Sequence, residues 1–279
     1  METAAPGLCV NCSAPCPGAY CSACGEKRLS ANDFSLRHFV GHAVHDLTHF
    51  DAKIFRSLIP LLFKPGVLTA EFIAGRRSRY IKPLTLFILV NLFFFVAKQG
   101  LMNYRLDDYV SSVGGVARRL VETKAEARGL TMEKYAEHFN ALAKERQRSM
   151  FFFLIPALAL LFVPFARRRY YVEHLVYSIH FHAFLLIFIV VGLVILLIPL
   201  AVVAAMGAPG PIRFFSRDPG LLVPISLGIV GYHWIALRRV YAVGWAAALA
   251  GGVTLALAEF VLMFNVYKPL MFFAVYYST

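Results

Sequence analysis

Between Leu175 and Met206 the chain carries no Asp, Glu, Lys or Arg. A run of that length without charge exceeds the roughly 20 apolar residues that cross a bilayer, so it constrains the fold more than any other feature. Uncharged blocks recur elsewhere, and hydrophobic residues make up 59% of the chain, against about 45–50% for soluble domains. The spacing predicts five transmembrane helices, at Pro83–Ala97 and about residues 149–166, 175–206, 221–237 and 243–267. The first two are short for a bilayer. Pro156, Pro164, Pro199 and Pro224 fall within spans, where neighbouring groups re-satisfy the broken backbone.

The formal net charge is +12, and many of the basic residues flank apolar blocks. That pattern points to lipid headgroups rather than nucleic acid. The start of the chain has neither a basic region nor an apolar core of the secretory kind, so the polar first forty residues are expected to stay on the side of synthesis. Arg167-Arg168-Arg169 and Arg238-Arg239 then fall on that same side. With five spans the N-terminus is cytoplasmic and the C-terminus periplasmic. Arg118-Arg119, Arg146 and Arg148 lie in the first loop, about 98–148, whose net charge is mild; Arg146 and Arg148, close to a span, count against this orientation. That loop is expected to form two polar helices, about 116–128 and 131–148, with Thr131 as an N-cap, as a solvated hairpin.

All five cysteines lie before residue 25. Cys9-Val10-Asn11-Cys12 and Cys21-Ser22-Ala23-Cys24 are two CxxC turns, each able to present two thiolates to one ion. Together they make a closed, four-thiolate structural Zn2+ site, one per chain. Pro15, Pro17 and Gly18 favour the chain reversal between them. Cys16 is left over, as a free thiol or an alternative ligand. A site with four protein ligands keeps no open position for catalysis, so the ribbon is expected to be structural or adaptor-like, with a cytoplasmic protein as a possible partner.

Residues 33–59 read as an amphipathic interfacial helix. His38, His42, His45 and His49, spaced 4, 3 and 4, share one stripe. The stripe is open to three readings: the polar face of an interfacial helix, a second metal site, or a pH sensor. Ile59-Pro60 and Lys64-Pro65-Gly66 are expected to interrupt that helix, and Gly75-Arg76-Arg77-Ser78-Arg79-Tyr80-Ile81-Lys82-Pro83 follows. Its Arg76, Arg77, Arg79 and Lys82 are expected to contact anionic headgroups.

These features resemble a family of bacterial membrane proteins, domain-of-unknown-function family 3667. The paired CxxC ribbon, the His-containing helix, Leu61-Leu62-Phe63-Lys64-Pro65-Gly66 and the segment from Gly75 to Pro83 carry the resemblance, over residues 9 to about 97. It implies a multi-pass bacterial inner-membrane protein with a zinc ribbon. It brings no activity, substrate or catalytic residue.

Ionisable groups at membrane depth are functional candidates. Glu259 stands alone in an apolar run, as a proton or cation site or as an interhelical hydrogen bond. Glu173, Tyr177 and His180 share a stripe, while His180 and His182 point about 200° apart on a helix. His233 joins these near the cytoplasmic side. No phosphate loop, dinucleotide fingerprint, nucleophile elbow or HExxH occurs.

The resulting expectation is an all-α polytopic membrane bundle in three parts. They are a zinc ribbon at 1–28, an amphipathic helix and basic linker at 29–82, and a transmembrane region at 83–279 with a polar helical loop at 98–148. The function expected first is a non-enzymatic scaffold, regulatory or lipid-interacting protein. The alternatives are an ion or small-molecule transporter or channel using Glu259, and a His-rich membrane metalloenzyme.

Overall fold

The computed structural model describes residues 7–28, 53–97, 105–164, 166, 168–206 and 218–279. The His38–His49 stripe lies outside the described residues. Among the described residues the fold is all-helical, apart from two isolated bridges in the cysteine region, Leu8 with Pro15 and Tyr20 with Lys27.

Two short helices are described after the cysteines, α1 (Lys53–Phe63), which runs through Pro60 where the sequence predicted an interruption, and α2 (Val67–Ile73). Pro65 cannot continue the first, and Gly66 reverses the chain at φ 80. A Cβ on Gly66 would lie 2.9 Å from the Ala236 Cα, so glycine is required both by conformation and by the close approach of another helix. Ser57, fully buried on α1, donates to the Lys53 carbonyl at 2.8 Å and accepts from the Ile81 N–H at 3.0 Å. That bond ties α1 to the basic loop ahead of α3 (Pro83–Ala97).

Helix α3 carries no charge and buries Leu86, Phe87, Val90, Asn91, Phe94 and Phe95. At 1.5 Å per residue it is about 22 Å long, shorter than the roughly 30 Å hydrocarbon core. Its main packing partner is α8 (Tyr171–Ala205). A second short apolar stretch, Phe151–Phe162, contains α7 (Leu154–Phe162) and also lies on α8.

Two helices are long and apolar enough to cross a membrane, Tyr171–Ile195 within α8 and the continuous Trp245–Tyr276. They differ in burial: 61% of the most apolar window of the first is inside the fold, against 22% for the second. Helix α8 is therefore the central post, and Trp245–Tyr276 presents Trp245, Val253 and Leu257 outward. Between them, α9 (Asp218–Tyr241) packs closely on α10 (Trp245–Val261). A Cβ on Gly252 would lie 3.1 Å from the Val230 carbonyl oxygen, so a small residue permits this crossing. A π turn, Leu262–Tyr267, joins α10 to α11 (Lys268–Tyr276).

The first loop is not a free-standing solvated hairpin. Helices α4 (Leu106–Val113), α5 (Gly115–Ala127) and α6 (Met132–Met150) bury a second core with α11. Tyr109, Ala117, Val121, Tyr135, Phe139 and Ala143 meet Met271, Phe272 and Val275 there. Thr131 caps α6 by accepting from the Lys134 N–H at 3.4 Å. Tyr135 Oη and Thr279 Oγ1 lie 2.9 Å apart, so the C-terminal residue is anchored to the loop helices. Burial holds the Tyr135 phenol above its ordinary pKa, against the Thr279 hydrogen bond.

Candidate functional site

The cysteine region is a structural repeat with an offset of twelve residues. Cys9 N–H donates to Ala14 O and Cys21 N–H to Glu26 O; Ser13 N–H donates to Cys9 O and Gly25 N–H to Cys21 O. Outside these, Cys16 N–H donates to Gly7 O and Arg28 N–H to Ala19 O. Ser13 and Gly25 occupy equivalent left-handed turns, at φ 60 and 72. Each CxxC is therefore held by the same small set of backbone bonds, and the two halves face each other through their sulfurs.

All four sulfurs of Cys9, Cys12, Cys21 and Cys24 lie within 4.8 Å of one another. The Cys9–Cys24 and Cys12–Cys21 Sγ pairs are each 3.6 Å apart. A disulfide needs about 2.05 Å, while thiolates about 2.3 Å from one tetrahedral ion sit about 3.8 Å apart. The residues thus fit a four-thiolate metal ion. Backbone N–H groups of Cys24 and Ala23 aimed at Cys21 Sγ hold its thiol down to about 7, ready to lose its proton to a cation. For Cys12 the backbone bond from Ala14 favours the thiolate, but proton sharing with Cys24, burial and the other two thiols outweigh it and push the value up to about 12. Cys16 is not part of the set. It is buried, its Sγ is directed to the Gly18 carbonyl at 3.6 Å, and its counterpart in the second repeat is Arg28.

The ribbon sits on the basic loop. Glu26 is buried, and its Oε2 accepts from the Arg77 and Ser78 backbone N–H groups, each at 2.8 Å. Asn11 Nδ2 adds a 3.0 Å bond to Ser78 Oγ. The sequence hinted at this carboxylate only by its place directly after the second CxxC turn.

The four basic residues of the loop have different surroundings. Arg76 is paired in two-pronged fashion with Glu71, at 2.7 and 2.6 Å. That pairing holds the Glu71 carboxyl below the ordinary carboxylate range. Arg77 lies 4.0 Å above the Phe72 ring and donates to the Phe72 carbonyl. Arg76, Arg77 and Lys82 line one cleft with Phe72, Tyr80 and His180, while Arg79 lies over Tyr80 instead. Arg239 donates to the Pro65 carbonyl, fixing the turn before α2 from α9.

Deeper in the bundle the histidines separate. His180 Nδ1 meets Thr69 Oγ1 of α2 at 2.9 Å. His182, on the opposite side of α8, lies with Nε2 3.2 Å from Glu259 Oε1 of α10. His233 of α9 meets Tyr177 Oη at 2.8 Å. Glu173 pairs with Arg169 at 2.8 Å, and His174 meets Tyr241 Oη at 2.8 Å. The structure thus brings Glu259 to His182 rather than to His180. Among the described residues, only the four cysteines gather three or more metal-ligand atoms within 4.8 Å of one another.

No curated protein and no solved structure matches the chain. A family model matches residues 51–95, the segment that spans α1, α2, the basic loop and most of α3. Through that segment the chain is similar to the family described as protein of unknown function, DUF3667.

Proposed function

We propose that the protein is a non-enzymatic adaptor of the bacterial inner membrane, with a zinc-stabilised ribbon on the cytoplasmic side of a five-span helical bundle. The observation that carries this reading is the junction between ribbon and bundle: a closed four-cysteine site whose Glu26 grips the backbone of the basic loop. Four thiolates saturate a tetrahedral ion, so the metal serves structure and leaves no position for substrate. Zinc suits an all-thiolate donor set in a chain whose ribbon faces a reducing compartment. Arg79 and Lys82, beside the first apolar helix, would meet anionic headgroups. Arg76 and Arg77 of the same loop would meet them as well. The exposed face of the ribbon remains for a cytoplasmic protein.

Metal analysis of the full-length protein in detergent tests this reading. The comparison is between wild type and a variant with His38, His42, His45 and His49 all changed to Ala. One zinc per chain in both is expected. A further zinc or iron that disappears in the variant would replace the adaptor with a His-dependent metalloprotein. Reporter fusions at the two termini test the orientation, with a cytoplasmic N-terminus and a periplasmic C-terminus as the expected result.

A further inference from the structure

A second feature of the bundle is independent of the ribbon. His182 Nδ1 lies 2.8 Å from the Ser178 carbonyl oxygen. A carbonyl only accepts, so Nδ1 carries a hydrogen. Ser178 is itself held, donating to the Ile155 carbonyl at 2.7 Å. With Nδ1 committed as donor, neutral His182 presents a lone pair at Nε2, and that atom faces Glu259 Oε1 at 3.2 Å. Two lone-pair atoms at this distance repel unless a proton lies between them. The proton can reside on the carboxyl or on the imidazole. Either way the pair is neutral overall, as an apolar interior demands.

The surroundings leave this pair unsatisfied. Glu259 Oε2, His182 Nε2 and His233 Nε2 are buried and make no hydrogen bond among the described residues, so His182 and Glu259 approach closely without a formed hydrogen bond. The His182 side chain is 0% exposed and that of Glu259 7%. His182 also lies near enough to act electrostatically on His233, whose other nitrogen is taken by Tyr177. His233 is the titratable neighbour of the pair, with Tyr177 and Tyr232 against its own ring; α3 and α7, which also pack on α8, bring none. Two turns from Glu259, Gly252 lets α9 and α10 approach closely at His233. Three residues beyond Glu259 the helix changes to the π turn Leu262–Tyr267, a distortion frequent at functional sites. Buried polar atoms without partners in a native fold need an occupant or a role.

We propose that His182 and Glu259 form an intramembrane binding site for one exchangeable proton, with His233 as the neighbouring station. The site links α8, α9 and α10, so gain or loss of that proton changes the net charge at the contact of three helices. A bundle with this site has the local chemistry for proton-coupled movement of its helices or of a solute.

The test is labelling of the full-length protein with dicyclohexylcarbodiimide, an apolar reagent that attacks protonated carboxyl groups. The carboxyl oxygen bonds to the central carbodiimide carbon and the acid proton passes to a carbodiimide nitrogen. An oxygen-to-nitrogen acyl shift then gives a stable N-acylurea, with nothing released. Peptide mass spectrometry reads the label at Glu259 between about pH 5 and pH 9. Labelling is expected at the acid end and is expected to fall as pH rises. Glu259→Gln removes it. His182→Ala keeps its label at pH values where wild type has lost it, because no base competes for the proton. A wild-type label that is absent throughout, or constant throughout, overturns the proposal; this arm needs no variant to fold. An identical profile in His182→Ala overturns the sharing. A second metal ion in wild type that is lost in Glu259→Gln also overturns it, by placing a metal between the two side chains.

Discussion

The ribbon at residues 7–28 and the module built from α4, α5, α6 and α11 are both polar outgrowths of an apolar bundle, yet they are held by different physics. The ribbon's interior consists of Cys9, Cys16 and Cys21, with Ala14 and Cys24 packed beside them. That is too little apolar surface to offset chain entropy, so an ion held by the four cysteines would supply the folding free energy. The other module has aromatic pairs in its core, such as Tyr109 with Phe139 at 5.8 Å and Phe139 with Phe272 at 6.0 Å. It needs no metal, but it needs a helix from the far end of the chain. Small contiguous segments can be stable if chemistry cross-links them, and segments of ordinary composition can be stable if topology lends them a partner.

The largest expected effect breaks the ribbon and spares the module. Cys12→Ser, or a strong chelator, removes a contribution on the order of 10 kcal/mol from the ribbon. Hydrogen exchange should show residues 7–28 fully unprotected and α4–α6 unchanged. Persistent protection of 7–28 after chelation would show that a core other than the metal holds them. The reverse experiment is Phe139→Ala, which should cost about 3–5 kcal/mol of module stability. Thermal unfolding in detergent checks it, with metal content staying at the wild-type level. Loss of metal in that variant would mean that the two regions are coupled through the bundle.

A smaller effect sharpens the junction between ribbon and bundle. Glu26→Ala leaves the Arg77 and Ser78 N–H groups without their acceptor, at about 1–3 kcal/mol. Their exchange should accelerate while the four cysteines keep their ion. The smallest effect concerns Glu71. Its carboxyl lies below the ordinary value near 4.3 because Arg76 hydrogen-bonds to it. The pair therefore stabilises the fold above that ordinary value, and the gain is lost as pH falls through the lower, folded value. The Arg76 and Glu71 side chains are 37% and 21% exposed, so solvent screening keeps the contribution below about 1 kcal/mol. Acid melting curves of Glu71→Gln should lack this step.

Much of the local structure was legible. The charge-free run at Pro83–Ala97 coincides with α3, because Pro83 suits the first turn of a helix and the run that follows is apolar throughout. Thr131 announced the start of α6, since its hydroxyl is a good acceptor for an otherwise orphaned backbone N–H. The two CxxC turns announced a four-sulfur site, since each turn is a local structure that needs only its own residues. The π turn after Val261 was not legible: its sequence, Leu262-Met263-Phe264-Asn265-Val266-Tyr267, is that of an ordinary apolar helix. The docking of α11 on the loop helices was hidden for another reason. Its apolar face looks the same whether it meets lipid or Phe139.

By itself the sequence determined that the chain is largely helical, where its longest apolar runs lie, and which cysteines can share an ion. Those properties arise from neighbours within a few residues, where periodicity and spacing suffice. Only the tertiary structure decided that Glu26 holds the basic loop, that Glu71 neutralises Arg76 across a turn, and that Glu259 meets His182 and not His180. Partner choice between helices depends on which face each turns inward. That is set by the summed packing of many side chains and by small residues such as Gly66 and Gly252, which allow two backbones to approach.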